Sequence, residues 1–454
     1  MVSGETTSRP GRRLARWAGL AVLLAVPAAT LAVGQFPTLA EHSTIKYAES
    51  TPTDAIARLQ QRIDAGEVTL THDDGPTGYL RSLLHELDVP ESSQGLVFSK
   101  TSLQLDRIAP WSPRAIYFNE DVYIGFVQNG PILEISSVDP KLGAVFYTLS
   151  QSPADKPQFH RETTTCLLCH DSSAVTGGVP GFIVRSMYTD RYGYGITAIG
   201  GGVTTDQTPI EERWGGWYVT GKSGTQAHAG NIMAPVLAHE VDNVRTYMSN
   251  VDLGAETNVT DIEERFDTTP YLRKTSDIVS LLVLAHQAYV HNLVTIAGYE
   301  TRKAIYEEGF TPDSERGPDG HAEATRRQIG RIVEPLVKAL LFVKEAPLAA
   351  PIEGTSGFTA DFQAKGKRDQ QGRSLRDLDL HTRLFKYPLS YLIYSDGFNA
   401  LPDLAREQIY RRLGEVLSGA DQSPDFKHLS AADRGTILEI LRDTKPEFAR
   451  ATAE

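Results

Sequence analysis

The hydrophobic pattern changes near the middle of the chain, and the change predicts two kinds of structure. Between Leu96 and Leu149, β-branched and aromatic runs such as RAIYFNEDVYIGFV and GAVFYTLS are separated by the turn-forming stretches QNGP and DPKLG. These runs predict antiparallel strands joined by short turns. From Ser276 onward the apolar residues recur at helical spacing, which predicts a helical C-terminal half.

Several helices follow from the same pattern. A short amphipathic helix is predicted from about Pro52, because Ile56, Leu59 and Ile63 form one apolar stripe, and Thr53 is its expected cap. The segment from Ile278 to about Tyr306 is apolar on nearly all sides at its start, which predicts a buried helix. Further helices are predicted at Tyr79–Leu87, His321–Val343, Pro402–Leu417 and after Ser430, and a loop at 351–377.

These elements predict an α+β fold with a strand-rich N-terminal half and a mainly helical C-terminal half. The chain of 454 residues is longer than most single domains. We divide it into an export segment or anchor at 1–34, a connector with short helices at 35–95, a strand-rich region at 96–275 and a helical region at 276–454.

The N-terminal segment has the pattern of an export signal. Arg12, Arg13 and Arg16 precede the uncharged stretch from Trp17 to Val33, as in a basic region followed by an apolar one. The stretch is also long enough to remain as a membrane anchor. A cleaved signal, with cleavage before Gln35, and a retained anchor at 17–33 both stay open. Either outcome exports the rest of the chain, to the periplasm or another extracytoplasmic site.

The composition argues against one class of binding partner. The hydrophobic fraction of 41% is sufficient for a packed core, and the formal net charge is −12. An acidic balance argues against a nucleic-acid partner, which requires a basic surface.

The most informative short motif is C-x-x-C-H, formed by Cys166, Cys169 and His170. These are the two cysteines of the chain. A structural zinc site would need four ligands, and no second cysteine pair follows. A thioredoxin-like dithiol requires the first cysteine to open a helix in a βαβ unit, which the flanking pattern does not favour. A disulfide across three residues would close a very small loop and add little stability.

The fourth chemistry is covalent attachment of haem, for which this spacing is the known signature. Two thiols can add to two vinyl groups on one edge of a porphyrin, and the following histidine can then bind the iron. We therefore expect one haem c, attached through Cys166 and Cys169, with His170 as the proximal iron ligand.

Through Cys166, Cys169 and His170 the chain resembles the c-type cytochromes. Over most of its length after residue 35 it is similar to a group of exported bacterial proteins with a single haem. The stretches that carry this likeness are LVFSKTSLQ, RWGGWYVTG, LAHQAYVHNLVT and TRLFKYPLSYLIYS. The resemblance implies a haem protein and supplies no substrate. The strand-like runs around the motif depart from the all-helical small cytochrome c domain, so we do not expect that domain throughout.

A sixth iron ligand would have to come from outside the motif, from histidine or methionine. In order of preference, the candidates are His228, Met233, His286 and His291. An iron without any of these ligands, with the four side chains merely packing, remains the alternative.

Two of these candidates lie on the predicted buried helix. His286 and His291 are five positions apart, or about 140° around the helix, so they do not share a face. Gln287 and Asn292 add two more polar groups, and all four require internal partners if the helix is buried. A cofactor pocket would be one way to supply them.

Haem propionates favour charge-assisted donors. Arg185, Arg191 and Arg213 follow the motif and are the candidates, the alternative being ordinary surface arginines. Thirteen of the 38 glycines lie between Gly177 and Gly230. They favour either close backbone approach to a bulky group or simply many turns.

The sequence predicts electron transfer through the haem, with a redox partner protein or a small electron donor or acceptor. A peroxidase-like haem enzyme and a haem-based ligand sensor are the alternatives, favoured by the length of the chain. A single haem argues against enzymes that relay electrons through a second one.

Overall fold

The strand-like runs of the N-terminal half form a seven-stranded antiparallel sheet. The computed structural model describes residues 38–310, 316–317 and 320–452, so the predicted export segment at 17–33 lies outside the described residues. The strands are β1 Gly95–Val97, β2 Arg114–Phe118, β3 Val122–Phe126, β4 Ile132–Asp139, β5 Gly143–Ser150, β6 Phe159–Glu162, β7 Arg185–Ser186, β8 Thr189–Asp190, β9 Gly202–Val203, β10 Trp217–Tyr218 and β11 Met233–Ala234.

The large sheet has the order β10-β1-β2-β3-β4-β5-β6, and the two short pairs are β8 with β11 and β7 with β9. The helices are α1 Ala55–Asp64, α2 Leu80–Glu86, α3 Leu167–His170, α4 Val241–Met248, α5 Ile278–Glu308, α6 Glu323–Leu340, α7 Phe358–Ala364, α8 Asp396–Asn399, α9 Asp403–Leu417, α10 Ala431–Thr444 and α11 Pro446–Ala451. Single turns of 3-10 helix lie at Leu39–Glu41, Glu91–Ser93, Leu105–Arg107, Thr197–Ile199, Ile210–Glu212, Leu253–Glu256, Tyr391–Tyr394 and Pro424–Phe426.

Because side chains alternate along a strand, the sheet presents two different faces. The first, which we call the N-terminal face, carries side chains such as Tyr117, Ile124 and Tyr147, and packs with the apolar stripes of α1 and α2. The second, which we call the core face, carries side chains such as Val97, Phe118, Tyr123 and Phe146. It packs with α5 and the C-terminal helices.

Helix α5 connects the sheet to the C-terminal half. It is 31 residues long, and its first fifteen residues are buried except for Tyr289. Among the described residues it is the one helix long and apolar enough to cross a membrane, yet most of that apolar stretch is covered by the protein itself. Its composition is therefore accounted for by its place in the core.

The segment between β6 and β10 crosses the sheet. Strands β6 and β10 lie at opposite edges, so residues 163–216 must pass from one edge to the other. Phe182, Val184 and Trp214 of this segment pack in the same cluster as the core face and α5. The C-x-x-C-H motif therefore lies at the start of a segment that runs across the core face of the sheet.

The predicted α+β class, with a strand-rich N-terminal half and a helical C-terminal half, is confirmed. The cap of α1 was predicted wrongly. Asp54, and not Thr53, accepts the free N–H groups of Ile56 and Ala57, whereas Thr53 donates to Asp139. The Asp54 carboxylate also accepts a hydrogen bond from the buried Tyr147 hydroxyl at 2.6 Å, and this bond fixes α1 to the sheet.

Two further predictions need correction. The segment 351–377 was expected to be a loop but contains α7, whose Phe358 and Phe362 are buried. The strands expected after the motif are only two-residue pairs, because most backbone groups there bond in turns and loops. The described residues belong to one compact unit, so Ser276 marks a change of secondary structure within it.

A buried carboxyl in the β2–β3 turn makes stability depend on pH. Burial raises the pKa of Asp121 to about 7, with the charges of Glu120 and Asp396 adding to the effect. The folded state thus holds a proton that the unfolded state releases near pH 4, so stability falls as pH rises from about 4 to 7. We expect Asp121→Asn to raise the midpoint temperature of thermal unfolding (Tm) at pH 8. At pH 4 the same substitution should change the Tm little. The exposed Asp74→Asn is the control. An equal shift at both pH values would contradict this account.

Candidate functional site

The C-x-x-C-H motif forms a single helical turn just beyond the edge strand β6. The N–H groups of Cys169 and His170 donate to the carbonyl of Cys166, at 3.3 and 3.0 Å. Both thiols are free of disulfide bonds; Cys166 is half-buried and Cys169 is exposed. Leu168 between them is 83% exposed, so the outer side of this turn faces solvent.

His170 is held in one orientation. Its Nδ1 donates to the Gly181 carbonyl at 2.8 Å, and the Gly181 N–H donates back to the His170 carbonyl at 2.9 Å. The ring also packs on Phe146, with centroids 4.6 Å apart. Because a carbonyl can only accept, the proton must be on Nδ1, which leaves a free lone pair on Nε2. Burial lowers the pKa of His170, which favours the neutral, ligating form.

The loop that receives His170 is itself fixed by α5. The Asn292 side chain accepts from the Phe182 N–H and donates to the Phe182 carbonyl, both at 2.8 Å. A Cβ at Gly181 would lie 2.5 Å from Asn292 Oδ1, so only glycine leaves room for this double bond. Asn292 therefore positions Phe182, Gly181 positions the His170 ring, and the motif is connected to the core helix.

The electrostatics of Cys166 do not suit a redox dithiol. Burial raises its pKa to about 12, and the charges of Glu162 and Glu134 add to the effect. Reactive dithiols need a low pKa, because the thiolate is the nucleophile. This environment favours a thiol that is not a general nucleophile at neutral pH.

The motif side chains also do not form a site for a small ion. Within the part of the chain that the structure describes, no three His, Cys, Asp or Glu side chains are grouped to hold a metal ion, and this includes the motif. The donor set, two free thiols and one oriented imidazole spread over one turn, fits a larger group that meets them at separate points.

Of the candidate sixth ligands, His286 is the most fully engaged. Its ring bonds to the Asp206 carboxylate through Nδ1, at 2.9 Å, and to the Ser390 hydroxyl through Nε2, at 2.8 Å. The connectivity is that of a Ser-His-Asp triad, but Ser390 and His286 are fully buried. The arrangement links three segments of the core, and iron ligation by His286 would require breaking one of these bonds.

The other three candidates also have contacts within the protein. His291 donates through Nε2 to the Glu120 carbonyl at 2.8 Å, and His228 accepts through Nδ1 from the Gly230 N–H at 3.1 Å. Burial lowers the pKa of each ring to about 4. Met233 is half-buried on β11 and packs with the cluster of the N-terminal face.

The three predicted propionate donors also differ. Arg213 is buried and donates to the carbonyls of Thr208 and Asp206, at 2.7 and 2.8 Å, so its guanidinium already has partners. Arg185 is exposed on β7, and Arg191 is exposed and stacks on Tyr192 at 5.0 Å. The structure brings none of these guanidinium groups into a hydrogen bond or ion pair with Cys166, Cys169 or His170 among the bonds of the described residues.

Sequence reasoning missed an ion pair near the motif. Arg114 on β2 and Glu134 on β4 are joined at 3.0 Å, and each side chain is only 16% exposed. Both interact electrostatically with His170. In an alternating strand pattern these residues resemble ordinary solvent-facing positions, so the sequence contained no signal for their pairing. For Asn292 the sequence did contain a signal, because a polar residue on an apolar helix requires a hydrogen-bond partner inside the protein.

Comparison with protein-family models gives no match for this chain. Comparisons with curated proteins and with solved structures likewise give no significant match.

The contact between Gly181 and Asn292 can be tested by adding one methyl group. We expect Gly181→Ala to lower the free energy of unfolding by about 1–3 kcal/mol, because the new Cβ would displace an amide that bonds twice to Phe182. Chemical denaturation measures this loss. The control is Gly202→Ala, where a Cβ meets nothing within 4 Å. If the two variants were equally stable, the proposed close contact between Gly181 and Asn292 would be wrong.

Proposed function

We propose that this chain is an exported protein with one covalently bound haem c that transfers electrons to or from a redox partner. Cys166 and Cys169 would form the thioether bonds, and His170 would bind the iron. The export pattern at residues 12–33 supports an extracytoplasmic location, whether or not the segment is retained as an anchor.

One observation carries the proposal: the Nδ1–H of His170 is bonded to Gly181 O. Histidines that bind metals generally donate their second ring N–H to a carbonyl or carboxylate, which fixes the tautomer and the ring direction. Here that bond is present on the same turn as the two free thiols. An ordinary surface histidine would have no need of such orientation.

Bound haem would supply a one-electron iron couple at this position. The protein's part is to fix the imidazole, through Gly181 and Asn292, and to present the motif to solvent through Leu168 and Cys169. A group attached to this turn would therefore be reachable by a partner protein or a small electron carrier. Phe146 excludes water from one side of the imidazole ring.

Binding of a small ligand, as in a haem enzyme or sensor, is the second candidate. It is favoured by the engagement of both ring nitrogens of His286, with Asp206 and Ser390. One of the four candidate sixth ligands thus has no ring nitrogen left for the iron, which favours an open position on it.

Covalent haem is the first test. Full-length protein matured with a cytochrome c assembly system should give one haem c per chain in a pyridine haemochrome assay. The double variant Cys166→Ala/Cys169→Ala should give none. Either single variant should shift the absorption band to longer wavelength, because one vinyl group stays conjugated with the ring. Wild-type protein without haem c would overturn the proposal.

The two candidate functions differ in their response to carbon monoxide. If the iron has an open position, the reduced protein should bind carbon monoxide at once, with a change in its absorption spectrum. A spectrum that stays unchanged indicates a sixth protein ligand and favours electron transfer. His228→Ala and Met233→Ala would then show which side chain occupies that position, since loss of the ligand opens the iron to carbon monoxide.

A further inference from the structure

Five of the eight large apolar side chains that are exposed in the described part of the chain lie in two loops, at 100–111 and 191–194. They are Leu103, Leu105, Trp111, Tyr192 and Tyr194. A single exposed apolar residue needs no explanation, but a group of them is typical of an interaction surface. We call the surface formed by these two loops the aromatic patch.

The two loops of the aromatic patch are in direct contact. The Lys100 N–H donates to the Gly193 carbonyl at 3.0 Å, and the Trp111 and Tyr192 rings meet edge to face with their centroids 6.1 Å apart. The Lys100 ammonium also lies 5.1 Å from the centre of the Tyr194 ring. The exposed rings of the two loops therefore form one continuous surface.

Both loops are held in place by bonds to buried groups or to their own backbone. The carboxylate of the buried Asp190 accepts from the Tyr192 N–H at 2.9 Å and from the Tyr194 N–H at 3.0 Å. In the other loop, the Lys100 ammonium donates to the Leu105 carbonyl at 3.0 Å. Because the backbone of the patch is fixed before any contact forms, docking would require little additional ordering.

The charge of the aromatic patch is opposite to that of the whole chain. The formal net charge of the protein is −12, yet the two loops contain one acidic residue, Asp106. The neighbouring carboxylates of Asp190 and Glu134 are already bonded within the protein. The basic side chains of the two loops are Lys100, Arg107 and Arg191, and both arginines are exposed. A positive surface on an acidic protein indicates an anionic counterpart.

We propose that the aromatic patch docks onto an anionic lipid surface. Tryptophan and tyrosine favour the headgroup region of a bilayer, where one side of the ring is apolar and the other is hydrated. Leucines beside them reach the acyl boundary, while lysine and arginine remain at the anionic headgroups. A lipid surface needs only rings and charges of this kind, whereas a folded partner also needs a complementary shape.

The inference goes beyond the proposed function and does not depend on the haem. The export pattern at residues 12–33 predicts a compartment that is bounded by membranes. The patch lies on loops far along the chain from that segment, so it would make a second membrane contact if the segment is retained and the main one if it is cleaved.

Hydroxyl-radical footprinting with mass spectrometry tests the patch directly, because exposed aromatic rings are oxidised and covered rings are protected. The full-length protein is mixed with phosphatidylcholine vesicles that contain about 30% phosphatidylglycerol, and with pure phosphatidylcholine vesicles for comparison. We expect the anionic vesicles to protect Trp111, Tyr192 and Tyr194. The readout is local, so a retained N-terminal anchor would not by itself produce this protection.

Two double variants with the same change in net charge separate the patch from general attraction. Arg107→Gln/Arg191→Gln should raise the lipid concentration for half-maximal protection about five-fold for each charge lost. The control is Lys46→Gln/Arg327→Gln, since both of these side chains are exposed on other parts of the surface, and it should behave as the wild type. Added salt should weaken the protection of the unmodified protein, which serves if a variant folds poorly.

Three results would overturn the inference. The first is equal oxidation of the three rings with and without anionic vesicles, and the second is protection only of Tyr306 and Phe310, the exposed rings at the end of α5. The third is protection that rises with protein concentration without vesicles, which would assign the patch to a contact between copies of the chain. Absence of haem c would instead contradict the proposed function and leave this inference standing.

Discussion

The fold depends on satisfying the polar side chains of one buried helix. Helix α5 places His286, Gln287, His291 and Asn292 inside the core, where an unbonded polar group costs more than a hydrogen bond normally contributes. Each finds its partner on a different segment. Those partners are Asp206 and Ser390 for His286, Asn119, Tyr123 and Tyr391 for Gln287, Glu120 for His291, and Phe182 for Asn292.

This constraint couples the two halves of the chain. The β2–β3 turn receives bonds from Gln287 and His291, and the loop after the motif receives them from Asn292. Shifting α5 by even one residue would leave several buried groups unpaired at once. The orientation of His170 therefore depends on the helical half, although the motif lies among strands.

Local patterns predicted the elements well, and contacts across the sheet could not be predicted. The strands of β2 to β5, the buried α5 and the Ser430–Asp433 cap of α10 follow from short-range signals. The Arg114–Glu134 pair does not, because β3 lies between the two residues and they meet only across Gly125, which has no side chain. The buried polar groups of α5 did signal a need for partners. The protein supplies at least one partner for each of the four, and of their side-chain polar atoms only Nδ1 of His291 is buried without a partner among the described residues.

Two glycines after the motif show how the segment between β6 and β10 is held against the rest of the protein. A Cβ at Gly193 would lie 2.4 Å from the Phe98 carbonyl, and one at Gly216 would lie 2.9 Å from Ser99 Cβ; both glycines have positive φ. These two glycines bring backbone against backbone, where the Phe98 and Lys100 N–H groups donate to Gly216 and Gly193. The segment is thus anchored to the residues just after β1 at one end and to Asn292 near the other. A helical turn just before those anchors has a fixed inner side, which carries His170, while its outer side, with Leu168 and Cys169, stays open to solvent.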